Sequence, residues 1–326
     1  MSRRVVTLIA TAIGLALLAA AIKKTGLDEI VDGLRRIGVP GMALILGASL
    51  VRQVARAQAW TLLMSGDGST GAPPLSSALA ATIGGDAIGN LTPLSLIVSE
   101  PAKAMYVSAH VPAPRALAAL AAENFFYSLS VAIAVLFGVA VLFVGFPAVP
   151  EELRTISLVI VAGMTAVLVG ALWLIATEPA LVSATLGRFV SPRILGKIRD
   201  LETSSYALVR AHPARLAGVI ACEVTFHVFS IAETWITLVF LGIHSLPLAI
   251  VLDTVQRVIN VIFRVVPLKI GVDEVGSGFI TEALKFGHPL GVTMALIRKI
   301  RVLVWAGIGM VILLGQRAEG KGQRRG

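Results

Sequence analysis

Read from its N-terminus, the chain alternates long apolar blocks with short polar ones, and the blocks have the length of a bilayer. Val5 to Ile22 carries no charge and, at about 1.5 Å per helical residue, reaches roughly 27 Å, close to a hydrocarbon core. Phe125 to Phe146, Ile156 to Ala176 and Val302 to Gly315 are similar runs. In lipid, backbone polar groups find partners only within a helix or a closed barrel, and continuous apolar runs of this length predict helices. The pattern therefore predicts an all-α, polytopic helical membrane protein with six to eight spans. The first run follows Arg3 and Arg4 and ends near Ala19-Ala20-Ala21, the outline of a signal peptide. Its length and the spans behind it favour a retained signal-anchor helix.

The other blocks are less uniform. Leu27 to Ile37 places Leu27, Ile30, Val31 and Leu34 on one face, which predicts an interfacial amphipathic helix. A span over Val39 to Met64 carries Arg52 and Arg56, four residues apart and hence on one face. Leu75 to Val98 is apolar but interrupted by Gly84-Gly85-Asp86, Gly89-Asn90 and Pro93, and Leu246 to Leu284 is a second broken stretch. Unbroken helices are predicted over Pro114–Phe146, Ile156–Ala176, Ala214–Leu241 and Pro289–Gly315. Between them Thr177 to Pro213 forms a polar connection, long enough for surface helices and too short for a domain. Gln316 to Gly326 is a basic tail. The whole chain, 1–326, reads as one membrane domain.

The two broken stretches resemble each other. PLSLIVSE (Pro93 to Glu100) and PLKIGVDE (Pro267 to Glu274) share Pro, Leu, Val and Glu. Around them Trp60 and Trp235, then Pro74 and Pro247, then Glu123 and Arg298 recur in the same order. This predicts two repeats, 39–147 and 214–315. The positive-inside bias places the 177–213 connection and the 316–326 tail in the cytoplasm, with both termini. If each broken stretch is a re-entrant hairpin, six full spans result and the repeats are inverted, the arrangement of secondary transporters. Eight full spans with parallel repeats are the alternative.

Composition changes this picture little, whereas charge placement adds chemistry. Hydrophobic residues make up 56% and charged ones 14%, well below the roughly 25% charge of a soluble protein. The net charge of +9 is gathered in loops beside apolar helices, which fits anionic lipid head groups and not nucleic acid. One cysteine and five scattered histidines offer no disulfide and no metal-ligand spacing, so neither metal nor cofactor is expected. GxxxxGK[ST] is absent, so active transport would have to run on an ion gradient.

Within the apolar blocks lie Arg52, Arg56, Glu123, Glu223, Glu233, Asp253, Arg257, Arg264, Arg298 and Arg301, and at the broken stretches lie Asn90, Glu100, Lys103 and Glu274. An ionised group at mid-membrane costs about 2.5–3.5 kcal/mol on insertion scales, so the set is expected to converge on an interior cavity that binds a lipid head group. Arginine suits phosphate because its planar fork pairs two oxygens. Glu223 and His227 share a face at i,i+4 and are candidates for proton coupling. Plainer readings stand beside these. Asp253 and Arg257 make a structural pair at i,i+4; Arg298, Lys299 and Arg301 snorkel at a helix end; Lys103 sits in a solvated loop. His227 packs as an ordinary hydrogen-bonded side chain, and the four tryptophans serve as belt or packing residues.

RQVARAQAW (Arg52–Trp60), GGDAIGNLTP (Gly84–Pro93), SEPAKAMY (Ser99–Tyr106), Glu123 and PLKIGVDE together resemble the flippase-like membrane domain of lysylphosphatidylglycerol synthases. Hopanoid-associated membrane proteins are similar to that domain too. Asn90, Pro93, Glu100 and Lys103 fit its N-x-x-P pattern and the charged residues that follow. The resemblance implies translocation of a phospholipid or hopanoid across a bacterial cytoplasmic membrane. It does not extend to the soluble aminoacyl-transferase domain of those synthases, so no enzyme activity is expected from it. Two other classes stay open: a nonenzymatic partner of lipid-biosynthesis enzymes, and an intramembrane lipid-modifying enzyme acting through Glu223 and His227.

Overall fold

The computed structural model describes residues 18–65, 71–91, 95–178, 192–209, 213–263 and 266–322. The first predicted span lies mostly outside them; its end appears as a helical stretch over 18–25. The helices that follow are α1 (Leu27–Met64), α2 (Leu75–Leu91), α3 (Ser95–Tyr106), α4 (Ala113–Gly145), α5 (Glu151–Thr177), α6 (Pro192–Val209), α7 (Pro213–Phe240), α8 (Leu246–Ile262), α9 (Val272–Ala283) and α10 (His288–Gly322). A short 3-10 turn, Pro267–Lys269, joins α8 to α9. No strand occurs among the described residues, and the protein is an all-helical polytopic membrane protein.

Among the described residues four helices, α1, α4, α5 and α7, are long and apolar enough to cross a membrane. The uncharged stretches of α4 and α5 explain why: nothing in them opposes lipid contact. Only Leu153, Ser157 and Ala171 of α5 are buried, so that helix stands at the edge and offers most of its surface to acyl chains. α10 is 35 residues long, but Arg298, Lys299 and Arg301 fall inside its first half.

α1 is two helices joined at a kink. Gly38 adopts φ 55°, a left-handed conformation that glycine tolerates, and Pro40 follows with no N–H to continue the ladder. The amphipathic segment before the kink does not bury the face the periodicity suggested. Leu27 and Val31 are exposed, while Ile30, Gly33 and Ile37 are buried. The reason is a protein partner: a Cβ on Gly33 would collide with the Thr293 side chain of α10 and reach Leu241.

The two broken stretches fold alike, each as a 17-residue helix followed by a 12-residue one: α2 with α3, and α8 with α9. At about 1.5 Å per residue these are roughly 25 and 18 Å long, short of a hydrocarbon core of about 30 Å. They enter from opposite ends of the bundle. One apolar core joins the C-terminal part of α1 (Trp60, Leu63, Met64) to Ala78 and Ala81 of α2 and Ala104 of α3. The other joins Ile37 and Ile45 of α1 to Leu248 and Leu252 of α8, Ile280 of α9, and Leu284. The pairs meet in the middle, where the Pro267–Lys269 turn packs against α2.

α10 ties the pairs together. Near its start Gly291 lies against the backbone of Ser277 and Gly278 in α9; further on Gly309 lies against Ile83 and Ala87 of α2. Small residues permit such close approach between membrane helices, where packing replaces the hydrophobic effect as the driving force. Trp60 belongs to this architecture and not to an interfacial belt: it is 1% exposed, and its indole N–H donates to the Ala116 carbonyl at 3.2 Å. Trp173 and Trp235 are exposed.

A buried belt of ion pairs as the candidate functional site

Along α1, α4 and α7 the two cores are separated by charge. On α1, Ile45 belongs to one core and Ala57 to the other, with Arg52 and Arg56 between them; on α4, Glu123 follows Ala122 and precedes Leu142; on α7, Glu223, His227 and Glu233 lie between Val219 and Leu238. The short helices add their own charges at this level. A polar belt thus crosses the bundle between two apolar layers.

Each pairing has its own chemistry. Arg56 forms a two-pronged pair with Glu123, donating from Nε and Nη2 at 2.8 Å each, and lies 4.4 Å from the centre of the Tyr127 ring. Arg52 donates to Glu233 at 2.7 Å and rests over Phe226 at 4.6 Å. Glu233 is shared, since Arg301 also donates to both its oxygens at 2.6 Å. Asp253 accepts from Arg257 at 2.7 Å and from the Ser230 hydroxyl at 2.6 Å. Arg298 donates to Asp273 at 2.8 Å and to Ser277 at 2.6 Å. Lys299 pairs with Glu274 at 2.7 Å. Lys103 bridges Asp86 at 2.8 Å and Glu100 at 3.2 Å. Breaking such buried pairs costs about 3–5 kcal/mol, because the surviving charge stays in a low dielectric.

The pairs are neighbours of one another. Arg56 lies within electrostatic reach of Asp86, and Lys103 of Arg56. Glu223 faces Glu123, Arg56 and Arg257, and His227 faces Arg257 and Arg52. Arg301 faces Arg52 and Arg298. Glu223 differs from the other carboxylates of the belt. Its described partner is the Ser130 hydroxyl, which donates at 2.7 Å, and no cation among the described residues stands within 4 Å of it. Neither ring nitrogen of His227 has a hydrogen-bond partner among the described residues.

Local sequence explains how these groups fit. Gly85 lets the Lys103 stem lie against α2, since any Cβ there would overlap it; the side chain thereby reaches Asp86. Glu274 is fully buried and accepts the Gly271 N–H at 2.8 Å, capping the first turn of α9. Leu268 and Lys269, just before it, take φ 51° and 47°, a left-handed region that costs non-glycine residues free energy.

The structure brings Arg52, Arg56, Glu100, Lys103, Glu123, Glu274 and Arg298 into the belt, with Glu223 and His227. Asn90 lies half-buried near the end of α2. Arg264 lies outside the described residues. Lys103 is on helix α3 and 3% exposed, not in a solvated loop. Arg298, Lys299 and Arg301 sit well inside α10 with carboxylate partners, so they do not snorkel at its end. The pairing of Asp253 with Arg257 is as the spacing predicts.

Asp86 and Asp273 were not among the expected site residues, Glu233 was expected only as one of the interior charges, and Tyr127, Phe226, Ser130, Ser230 and Ser277 carry no signal that marks them in sequence. Asp86 follows a Gly-Gly pair, and Asp273 precedes Glu274. Asp273 was legible as an acid at a chain break, where freed backbone and charge have to be compensated within protein, whereas Asp86 lies inside the continuous α2. Among the described residues no group of His, Cys, Asp and Glu is arranged to hold a metal ion.

Buried ion pairs between membrane helices, set around two broken helix pairs, mark a polytopic helical membrane protein with a charged interior. The chain matches the family model of the lysylphosphatidylglycerol synthase TM region over residues 7–309, and it belongs to that family. No curated protein and no solved structure matches the chain. Family membership gives the protein a membrane lipid-related role, and the match concerns the membrane region of those synthases.

Proposed function

We propose that this protein moves a phospholipid, or a related polar lipid such as a hopanoid, between the leaflets of a bacterial cytoplasmic membrane. The observation that carries the reading is the belt itself, in which Arg52 and Arg56 keep side-chain exposures of 17% and 19% while their carboxylate partners are buried. A lipid phosphate entering the bundle meets guanidinium groups that can exchange a carboxylate for a phosphate oxygen. Such an exchange removes most of the penalty of carrying an ionised head group through hydrocarbon. The two short helix pairs act as opposed re-entrant hairpins, and both termini lie in the cytoplasm.

Glu223 is the proton carrier in this reading. With no cation paired to it among the described residues, it takes up or releases a proton without breaking an ion pair there, and His227 lies one turn away. Activity then depends on a proton gradient, and the chain itself performs no covalent chemistry. Lipid-biosynthesis enzymes that make the cargo are its natural partners.

The test is a leaflet-exposure assay with purified protein in vesicles carrying fluorescent phospholipid. Wild type exchanges lipid between leaflets, Arg56→Ala loses most of that exchange while eluting as a folded species, and Glu223→Gln loses its response to an imposed pH gradient. Equal exchange by Arg56→Ala and wild type would remove the belt from the transport path.

A further inference from the structure

The belt is not uniformly balanced, and its imbalance coincides with a set of unused hydrogen-bond donors on α10. Arg298 Nε and Nη1, Arg301 Nε and Trp305 Nε1 are all buried without an acceptor among the described residues. Positions 298, 301 and 305 follow i, i+3, i+7 spacing and share one face of the helix. Arg52 Nε, from the neighbouring α1, is buried without an acceptor as well. Arg298 and Arg301 are 6% and 7% exposed, so water outside the bundle does not reach these groups. Native structures seldom leave buried donors idle; ordered water or a ligand normally meets them.

Charge decides between those two occupants. In this part of the belt Arg52, Arg298, Lys299 and Arg301 face Glu233, Asp273 and Glu274. Asp273 answers Arg298 and Glu274 answers Lys299, but Arg52 and Arg301 share the single carboxylate of Glu233. One positive charge is therefore left over. Water would satisfy the N–H groups but would not neutralise that charge, and an uncompensated ion in a low-dielectric interior is costly. The rest of the belt, with Asp86, Glu100, Lys103, Arg56, Glu123, Glu223, Asp253 and Arg257, has more carboxylates than cations among the described residues.

We propose that the face of α10 bearing Arg298, Arg301 and Trp305, with Arg52 opposite, is a binding site for a singly charged phosphate-type oxyanion. The proposal rests on the lipid reading and deepens it by adding, beyond the exchangeable Arg56–Glu123 pair, a site whose donors are already free. A phosphodiester of a lipid head group and free monobasic phosphate share the needed chemistry: one negative charge with several acceptor oxygens. The indole N–H gives the site a neutral donor that can be removed without touching any ion pair.

The experiment measures binding to the full chain in detergent, with dihexanoyl phosphatidylglycerol, inorganic phosphate and the zwitterionic dihexanoyl phosphatidylcholine as separate probes, and compares wild type with Trp305→Phe and Trp235→Phe. Trp305→Phe keeps the ring and loses one donor to a charged acceptor, so anion binding is expected to weaken about tenfold. Trp235→Phe, at an exposed position on α7, is expected to bind as wild type. Preference for phosphatidylglycerol supports a lipid phosphodiester as the occupant; equal or tighter binding of inorganic phosphate supports a free oxyanion. Binding of neither anion, or identical binding by wild type and Trp305→Phe, overturns the site. The outcome is separable from the transport reading: lipid exchange with no Trp305 effect sinks this site alone, and Trp305-dependent binding without lipid exchange sinks transport alone.

Discussion

The two broken helix pairs have the same lengths and similar sequence, yet they are locked in different ways. In the α2–α3 pair the lock is internal: Lys103 of α3 crosses to Asp86 of α2 and back to Glu100 on its own helix. In the α8–α9 pair the lock is external, since Asp273 and Glu274 of α9 are held by Arg298 and Lys299 of α10. Packing follows the same division. α3 rests mainly on its partner α2, whereas α9 rests far more on α10 than on α8. A hairpin that holds itself together can shift as a unit without unpairing a charge, while one stapled to the bundle cannot. Ion pairing alone, since α2 also packs closely on α10, predicts that the first pair is the more mobile element of the belt and the second its anchor.

The sharpest test of that contrast is the pair of glutamates that the repeat aligns. Glu274→Ala removes the closest partner of Lys299, leaving it only Asp273 at 3.8 Å, together with the acceptor for the buried Gly271 N–H. It should cost about 3–5 kcal/mol, seen as a large fall in melting temperature in detergent or loss of the folded peak on size exclusion. Glu100→Ala leaves Lys103 its closer partner Asp86, and a loss of about 1 kcal/mol or less is expected. Comparable losses at both positions would erase the distinction between anchor and mobile pair.

Glycine substitutions probe the same division through packing. At Gly291 a new Cβ would run into the Ser277 backbone of α9, which has no rotamer to yield, and Gly291→Ala should destabilise by about 3 kcal/mol. At Gly85 the obstacle is the flexible Lys103 stem, so Gly85→Ala should cost about 1 kcal/mol. Thermal melts of the two variants side by side decide it. Lys103→Met then removes the internal lock itself. A modest loss of about 1–2 kcal/mol is expected, because Asp86 is 35% exposed and keeps some hydration. The more telling readout is amide hydrogen exchange: it should rise across α2 and α3 and stay unchanged across α8 and α9.

How much of this was legible beforehand follows from the reach of each signal. The helices predicted over Pro114–Phe146 and Ile156–Ala176 were placed within a few residues, because continuous apolar sequence leaves the backbone no alternative in lipid. That each stretch breaks was legible too, through Pro93 and the Pro267–Glu274 segment, although Gly84-Gly85-Asp86 and Gly89-Asn90 fall inside the continuous α2. Partner choice was not. Helical spacing identifies neighbours on one helix, and it gave Asp253 with Arg257; Arg56 with Glu123, Arg52 with Glu233 and Arg298 with Asp273 lie 67, 181 and 25 residues apart. The aligned glutamates show the same limit. Glu100 is the sixth residue of α3 and Glu274 the third of α9, so one sits within a helix and the other caps its start.

The smallest expected effect checks that burial, and not the number of ion pairs, makes the second hairpin an anchor. At the far end of α9, Glu282 pairs with Lys24 at 2.6 Å, but both side chains are more than half exposed. Water screens such a pair, and holding two long side chains in one geometry offsets most of the Coulomb gain. Lys24→Ala should therefore leave the melting temperature of the detergent-solubilised protein unchanged within error at both low and high salt. A clear drop that added salt reproduced in the wild type would mean that α9 is held by its solvated end as well as by α10, and the contrast between the two pairs would need a different physical basis.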